Sequence, residues 1–293
     1  MKHNLVETTL SVVIPVLNET NHIADLLVAL AQQTRLPDEI IVADAGSTDD
    51  TVDIAKQHGA RVVSGGLPAV GRNAGAAVAT GDVILFLDAD VLPAPQFIES
   101  ILSEFIQNEL DVATCLAQAI SDRRLYHLLH QATNLCLIAT QKISPHAPGF
   151  VILIRRDLHN IIGGFDESLA LAEDHDYVHR AAQKAHFGVL RHVHLPVSVR
   201  RLETDGTIPL IAKYLWVEAH ILTKRPVHSI PFNYQFGKHE QLKYRTSIVQ
   251  NVSEPMLLFL QEHLPFELLG DDERKIPGSV DIFVQEKQDE KII

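Results

Sequence analysis

A continuous apolar run that ends in two carboxylates constrains the fold of this chain more than any other stretch. Residues Val83–Leu87 are all aliphatic or aromatic, and Asp88 and Asp90 follow directly, one residue apart. An apolar run of this length is typical of a strand buried on both faces. Ligands of open α/β sheets bind outside the carboxyl ends of such strands. The stretch therefore predicts an α/β fold, and the two aspartates form either a site for Mg²⁺ or Mn²⁺ or a solvated turn.

The chain before this run alternates predicted strands with predicted helices. Strands are expected at residues 10–16, 39–43 and 61–64, and helices at residues 22–33, 51–58 and 71–79. This alternation predicts a mostly parallel central sheet with helices on both faces. Because parallel strands end at one edge of a sheet, we expect Glu19, Asp44 and the Asp88/Asp90 pair to converge there. That convergence favours a ligand site over a solvated turn.

The composition of the 293-residue chain limits its partners and its compartment. A hydrophobic fraction of 46% suffices for a packed core, and a formal net charge of −12 argues against nucleic acid as a partner. Two cysteines without disulfide or zinc-type spacing predict a reducing, cytoplasmic location. Residues 1–9 lack the apolar core of a signal peptide, and no uninterrupted apolar stretch reaches about 18 residues. Peripheral contact with the inner face of a membrane stays open.

The turn after the first predicted strand argues against two common nucleotide-binding motifs. Residues 17–20 contain no glycine, whereas a dinucleotide-binding fingerprint requires G-x-G-x-x-G at this point. The chain also lacks the G-x-x-x-x-G-K-[ST] sequence of a P-loop. We therefore expect neither a nicotinamide site nor a P-loop site.

A series of segments, in order, resembles the family 2 glycosyltransferases of the GT-A fold. The first two are S-V-V-I-P-V-L-N-E at 11–19 and D-A-G-S-T-D at 44–49. G-R-N-A-G at 71–75 and D-A-D at 88–90 follow. G-G-F-D-E at 163–167 and E-D-H-D at 173–176 complete the series. The resemblance implies a GT-A fold, with a mostly parallel central sheet and helices on both faces.

The resemblance also implies a nucleotide-sugar site at the edge of the sheet. Glu19 and Asp44 would contact the base and ribose of the donor, UDP being the commonest nucleotide, and Arg72 would lie near its phosphates. A structural role for Arg72 and Asn73, fixing their loop, is the alternative. Asp90 would bind Mn²⁺ or Mg²⁺ on the diphosphate, where a cation stabilises the charge on the leaving group. The full set of implied donor-binding residues is Pro15, Asn18, Glu19, Asp44, Gly71, Arg72, Asp88 and Ala89.

Asp174 matches the catalytic base of the family, the group that deprotonates the acceptor hydroxyl. A carboxylate at the start of a helix suits this task because the helix N-terminus favours its ionised form. The alternative for Asp174 is a helix N-cap, a position at which Asp is also preferred. Asp176 is the second candidate for the base, and Glu173 is a further candidate site residue.

Three later residues are weaker candidates for the site. His194 is a candidate metal ligand, because some GT-A enzymes use a late histidine in that role. Arg200 and Arg201 are candidate contacts to the diphosphate or to an anionic acceptor. If residues 197–201 form a strand, the two arginines point to opposite faces and at most one faces the site.

The resemblance implies a catalytic domain over residues 1–206 and a helical C-terminal extension over residues 207–293. We expect the extension to pack on the acceptor side and to end in a mobile acidic tail. The implied function is inverting transfer of a sugar from a nucleotide-diphosphate sugar to a sugar, a lipid-linked acceptor or a small molecule. Two alternatives stay open: a catalytically silent nucleotide- or sugar-binding protein of this fold, and a nucleotidyltransferase. The latter would require a glycine-rich loop after the first strand, which residues 17–21 lack.

Overall fold

The computed structural model describes residues 7–169 and 171–204. Within these ranges the chain forms seven strands and eight helices. In chain order they are β1 (Leu10–Val16), α1 (Thr20–Ala31), β2 (Glu39–Asp44), α2 (Thr51–Gln57), β3 (Arg61–Ser64), α3 (Pro68–Val78), β4 (Val83–Leu87), α4 (Phe97–Gln107), β5 (Val112–Ile120), α5 (Arg124–Thr140), β6 (Val151–Arg155), α6 (Arg156–Ile162), α7 (Glu173–Ala182), β7 (Phe187–Ser198) and α8 (Arg200–Thr204).

All seven strands belong to one sheet, in the order β3-β2-β1-β4-β6-β5-β7. The first four strands along the chain are parallel to one another, and β7 is parallel to β5. Only β6 among these strands runs against its neighbours β4 and β5. The prediction of a mostly parallel α/β sheet is confirmed, with one reversed strand near its middle.

Helices cover both faces of the sheet, and this explains why β4 is apolar at every position. Leu85 and Leu87 pack into the core formed with α1 and α4, while Ile84 and Phe86 pack into the core formed with α3, α6 and α7. Every residue of β4 is buried. Because side chains alternate across a strand, burial of both faces requires an uninterrupted apolar run.

The carboxyl ends of the parallel strands meet at one edge of the sheet. β6 begins at this edge, because Val151 lies opposite Leu87. The far end of β7 also reaches it, where the Ser198 backbone N–H donates to the Asp90 carbonyl at 3.2 Å. We call this edge, with the loops that leave it, the functional edge.

Several predicted boundaries are wrong, and two corrections affect the functional edge. Helix α1 spans Thr20–Ala31 rather than residues 22–33, so it begins directly after Glu19. Strand β7 extends to Ser198 because it pairs with β5 up to that residue. Residues 197–201 are therefore not one strand, since Arg200 begins the short helix α8.

The predicted C-terminal extension at 207–293 lies outside the described residues, as does the side chain of Arg201. In the part of the chain that the structure describes, no helix has the length and apolar content needed to cross a membrane.

Candidate active site

Arg72 is the buried centre of the functional edge. It lies on α3, and its side chain is 4% exposed. Nη1 donates to Glu173 Oε1 at 2.8 Å, and Nη2 donates to Asp88 Oδ1 and to the Gly149 carbonyl, both at 3.0 Å. Burial by itself would lower the pKa of Arg72, but the neighbouring carboxylates of Asp88, Glu173 and Asp174 raise it. The guanidinium therefore stays charged and links the end of β4 to the start of α7.

Two adjacent carboxyl groups at the start of α7 share this buried environment. Burial raises the pKa of Asp174, although Arg72 and nearby backbone N–H groups oppose the shift. Burial and the neighbouring Asp174 likewise raise the pKa of Glu173. A carboxylate with a raised pKa is a stronger proton acceptor at neutral pH than an ordinary aspartate.

Asp174 is not the N-cap of α7, so that alternative is wrong. Ala172 occupies the cap position in a left-handed conformation, with φ of 63°, and makes no side-chain capping bond. Asp174 lies in the first turn, where its Oδ1 accepts the backbone N–H of His175 at 2.8 Å. This bond fixes the carboxyl group and leaves its second oxygen directed towards Gly149.

The absence of a side chain at Gly149 leaves room for Arg72 and Asp174 to approach the backbone at this position. A Cβ atom at this position would lie 2.8 Å from Asp174 Oδ2 and 2.9 Å from Arg72 Nη2. Both distances are too short for a real Cβ contact, so any side chain would displace one of the two groups. Gly149 was not among the predicted site residues. The P-G pair at residues 148–149, typical of a turn, was the available signal.

Asn73 fixes the loop that leads to α7. Its side-chain oxygen accepts the Phe165 N–H at 2.8 Å, and its Nδ2 donates to the Phe165 carbonyl and to Glu167, both at 2.9 Å. Arg180 supports the same loop by donating to the carbonyls of residues 162 and 164. Asp176, the second candidate base, binds Arg180 Nε at 2.7 Å.

The loops after β1 and β2 hold each other in place. Asn18 has a positive φ of 54°, and its side-chain oxygen accepts the Thr48 N–H at 2.8 Å. Asp44 accepts the backbone N–H groups of Gly46 and Ser47 at 3.0 and 3.1 Å. Each carboxylate oxygen has two lone pairs, so Asp44 retains acceptor capacity for a ligand.

Asp49 was also absent from the predicted site residues, although it is the last residue of the D-A-G-S-T-D segment. Burial would raise its pKa, but hydrogen bonds from Thr20 and Thr51 outweigh that effect and lower the pKa to about 2. The Thr20 backbone N–H donates to Asp49 at 3.2 Å, which attaches the start of α1 to the β2 loop.

Arg200 forms the second arginine centre of the functional edge. Its guanidinium donates to Glu19 Oε2 at 3.4 Å and to Asp90 Oδ2 at 3.2 Å. Its side chain is 27% exposed, so solvent reaches this group far more than Arg72. Helix α8 therefore directs Arg200, the first of the two candidate arginines, into the site.

A cavity of about 540 Å³ opens beside Asp90 and Arg200. Helix α1, the loop after β4, the end of β5 and helix α8 all contribute to its wall. Its lining includes His22, Asp25, Ile120, Asp122 and Glu203. The cavity mixes charged and apolar groups, a composition suited to a polar ligand that carries some apolar surface.

The carboxylate oxygens of Asp88 and Asp90 are ligands of the kind that a hard divalent cation such as Mg²⁺ binds. Mg²⁺-type sites use one or two carboxylates and complete their coordination with water and substrate phosphates. Asp88 and Asp90 supply such carboxylates at the end of β4. Within residues 7–169 and 171–204 no group of three or more His, Cys, Asp or Glu side chains gathers as a complete metal site. The fit is therefore to a cation bound together with a substrate.

The structure brings together most of the predicted site residues. Arg72, Asp88, Glu173 and Asp174 form one cluster, and Glu19, Asp90 and Arg200 form a second. A Cβ at Gly71 would lie 3.2 Å from Pro15, so α3 packs closely on β1 there. Ala89 is buried between the two aspartates.

His194 is not brought to either cluster. It lies within β7, opposite Leu116 in the strand pairing and four residues before Ser198. Its side chain is exposed. Four residues of strand span roughly 13 Å, so His194 is remote from the end of β7 that reaches Asp90.

Comparison with protein families identifies one match over this region. The family model described as Glycosyl transferase family 2 matches residues 11–162, which is more than half of the chain.

Curated relatives match shorter parts of the chain. The uncharacterized glycosyltransferase YibD of Escherichia coli is 36% identical over 115 residues, covering 37% of this chain and 33% of that protein. The pre-mycofactocin glycosyltransferase of Mycobacterium tuberculosis is 30% identical over 183 residues, covering 57% of this chain and 37% of that protein. The chain thus spans about a third of the length of these relatives.

Solved structures share the fold at low sequence identity. The mannosyltransferase PcManGT of Pyrobaculum calidifontis, in complex with GDP-Man and Mn²⁺, superposes with a TM-score of 0.57 and 20% identity over 72% of this chain and 64% of that chain. Residues 1–349 of S. aureus TarS, in complex with UDP-GlcNAc, give a TM-score of 0.53 and 21% identity over 72% of this chain and 66% of that chain. At these identities the likeness establishes the GT-A fold of the described residues.

Proposed function

Because this chain belongs to glycosyl transferase family 2, we propose that it transfers a sugar, with inversion, from a nucleotide-diphosphate sugar to an acceptor hydroxyl. The observation that supports this most directly is the pair of arginine-centred clusters at the functional edge. One contains Asp174, a candidate base whose pKa is raised, and the other contains Asp90, a candidate cation ligand. The two clusters are joined through the short D-A-D segment at residues 88–90.

We assign the loops after β1 and β2 to the nucleoside of the donor. Asn18, Glu19 and Asp44 lie there with carbonyl and carboxylate oxygens that can accept hydrogen bonds from a base and a ribose. PcManGT is bound to GDP-Man and TarS to UDP-GlcNAc in solved structures. We propose a UDP-sugar as the first donor to test, with GDP-sugars as the comparison.

Asp90 and Asp88 would hold Mn²⁺ or Mg²⁺ against the diphosphate of the donor. When bound, such a cation supplies Lewis-acid stabilisation of the charge that develops on the leaving diphosphate. Arg200 already lies against Asp90 and carries a guanidinium suited to phosphate oxygens. We therefore assign Arg200 to the diphosphate of the donor.

Asp174 is the proposed base for the acceptor hydroxyl. Its raised pKa strengthens it as a proton acceptor, while the bonds from His175 and the contact with Gly149 fix its direction. Arg72 is buried and its two terminal nitrogens bind protein acceptors, so we assign it a positioning role. Asp176 is bound to Arg180 in a loop-supporting network and stays the second candidate base.

The test combines donor binding and turnover in three forms of the full chain. Wild-type protein should bind UDP-sugars more tightly with Mn²⁺ than with EDTA, measured by calorimetry. Asp90→Ala should remove the Mn²⁺ dependence while keeping the fold. Asp174→Asn should bind donor normally and lose turnover by about 10²–10⁴-fold, the range for a general base.

Distinct failures would point to distinct errors. Donor affinity that ignores Mn²⁺ in the wild type would overturn the cation assignment. Full turnover in Asp174→Asn would move the base to Asp176 or to another group. Tight donor binding with no turnover against any class of acceptor would favour a catalytically silent nucleotide-sugar-binding protein.

A further inference from the structure

Helix α5 carries an apolar face directed away from the protein. Its inward side is attached to β5, where Tyr126 and Leu137 are buried and Asn134 exchanges hydrogen bonds with the Ala117 backbone. The opposite side is exposed, with Leu125, Leu128 and Leu135 at 53, 61 and 68%. Surface helices of water-soluble proteins normally place polar side chains on this side. The exposed apolar face of α5 is therefore typical of a surface that binds a partner.

The exposed apolar residues of α5 form one continuous stripe. Their spacing of three and four residues places them on the same side of the helix. Ile143, directly after the helix, extends the stripe and is 87% exposed. We call this set the α5 stripe: Leu125, Leu128, Ala132, Leu135, Cys136, Ala139 and Ile143. A helix of this length presents roughly 25 Å of such surface.

The charged residues at the two ends of the α5 stripe are mostly basic, in contrast to the net negative charge of the whole chain. Arg123, Arg124 and Lys142 are exposed at its two ends. No Asp or Glu occurs from residue 123 to residue 156, although the whole chain has 37 acidic residues and a formal net charge of −12. Asp122 and Asp157 border this region in the sequence, and Asp122 also lies on the wall of the neighbouring cavity. An apolar stripe flanked by cations matches an anionic lipid surface.

The α5 stripe begins beside the candidate active site. Residues 120–123, which lead from β5 into α5, line the cavity that also contains Asp90 and Arg200. Leu92 and Ile120, on the wall of the same cavity, are 45 and 46% exposed. Exposed apolar residues therefore occur both on the cavity wall and along the helix that begins beside it.

We propose that the α5 stripe docks on the surface of an anionic phospholipid bilayer. The helix would lie in the interface, with its leucines among the upper acyl chains and its flanking cations at the headgroups. A second copy of this chain fits less well, because antiparallel pairing of two α5 helices would bring Arg124 of one next to Lys142 of the other. Because residues 120–123 line the cavity at the start of α5, docking of the helix would place that cavity close to the membrane. If the proposed function holds, on which this last step rests, the acceptor hydroxyl belongs to a membrane-borne lipid.

Cys136 provides a probe within the stripe itself. It is exposed, whereas Cys115, the other cysteine of the chain, is buried with a raised thiol pKa. A polarity-sensitive thiol dye on Cys136 of the full chain should shift its emission to the blue when phosphatidylglycerol-containing phosphatidylcholine vesicles are added. Pure phosphatidylcholine vesicles or high salt should weaken binding, since the electrostatic part is screened.

A matched pair of substitutions locates the contact. Leu128→Glu should weaken vesicle binding, measured by co-sedimentation, by about tenfold or more, the effect of losing one buried leucine. Leu36→Glu is the control, because Leu36 is 54% exposed and lies before β2, at the opposite edge of the sheet. It should bind vesicles as the wild type does.

Three results would overturn the proposal. The first is no binding to vesicles of either composition. The second is dye emission that is already blue-shifted without vesicles and does not respond to them, which would mean that residues after 204 or a second copy cover the stripe. The third is equal binding by Leu128→Glu and Leu36→Glu. Each leaves the Mn²⁺-dependent donor binding unaffected, so failure of docking and failure of the proposed function are separable.

Discussion

Arg72 and Arg200 each bind two carboxylates at the functional edge, and they differ mainly in exposure. Arg72 is 4% exposed and lies 3.0 and 2.8 Å from Asp88 and Glu173. Arg200 is 27% exposed and lies 3.2 and 3.4 Å from Asp90 and Glu19. The Arg72 guanidinium is itself shielded from solvent, although its partner Asp88 is 32% exposed, whereas solvent reaches the Arg200 guanidinium directly.

This difference in exposure suits Arg72 to a structural role and Arg200 to a role in which it exchanges a carboxylate for a ligand. Removing one partner of a buried ion pair leaves an uncompensated charge in a region of low dielectric, which is strongly destabilising. A partly exposed pair contributes little to stability, so its members can exchange partners at small cost. Arg200 can therefore transfer from Asp90 to a phosphate, while Arg72 holds Asp88 and Glu173 in place throughout.

The largest expected effect is that of Arg72→Met. This substitution leaves Asp88, Glu173 and Asp174 without their buried cation, and we expect the free energy of unfolding to fall by about 3–5 kcal/mol. Urea denaturation at neutral pH measures the loss. Arg72→Lys, which keeps a charge but not the forked geometry, should lose less. A change below about 1 kcal/mol for Arg72→Met would show that the cluster does not behave as a buried ion pair.

Arg200→Ala tests whether the partly exposed arginine contributes to ligand binding rather than to stability. We expect its free energy of unfolding to stay within about 1 kcal/mol of the wild-type value, as for partly exposed pairs. Its affinity for a nucleotide-sugar donor should fall by about tenfold or more, because a charge-assisted contact to phosphate is lost. Calorimetry with the intact donor and with the free nucleoside separates the effects, since the nucleoside should bind almost normally. Equal losses for both ligands would argue against a phosphate contact.

The pH dependence of turnover gives the smallest expected effect and the finest distinction between the clusters. Asp174 must be ionised to accept a proton, and its pKa is raised by burial. The decline of kcat/KM on acidification should therefore be centred above about pH 4, the ordinary value for aspartate. Arg200→Ala should leave the midpoint unchanged, because Arg200 binds Asp90 and Glu19. Arg72→Lys should move it, since Arg72 opposes the effect of burial on Asp174. A midpoint at or below about pH 4 in the wild type would exclude Asp174 as the titrating group.

Local sequence signals predicted the first four strands of the sheet correctly, but they predicted the ends of several other elements poorly. The bounds of β3 and β4 agree with the prediction because turn residues flank short branched runs. The end of β7 at Ser198 was not predicted, because its partner strand β5, from Val112 to Ile120, lies far away in the sequence. The same long-range pairing placed Arg200 on a helix beside Asp90, which the strand interpretation of residues 197–201 had left undecided.

The sequence by itself determined the α/β class, the convergence of Glu19, Asp44 and Asp90 at one edge, and the family of the chain. These follow from periodicity and from short motifs, which are local properties. Only the tertiary structure decided that Arg72 is buried among carboxylates, that Gly149 leaves no room for a side chain, and that α5 turns leucines outward. Burial, close approach and the direction of a helix face depend on which distant segments pack together. A pattern of three and four residues defines an apolar face, but it does not say whether that face meets the core or the solvent.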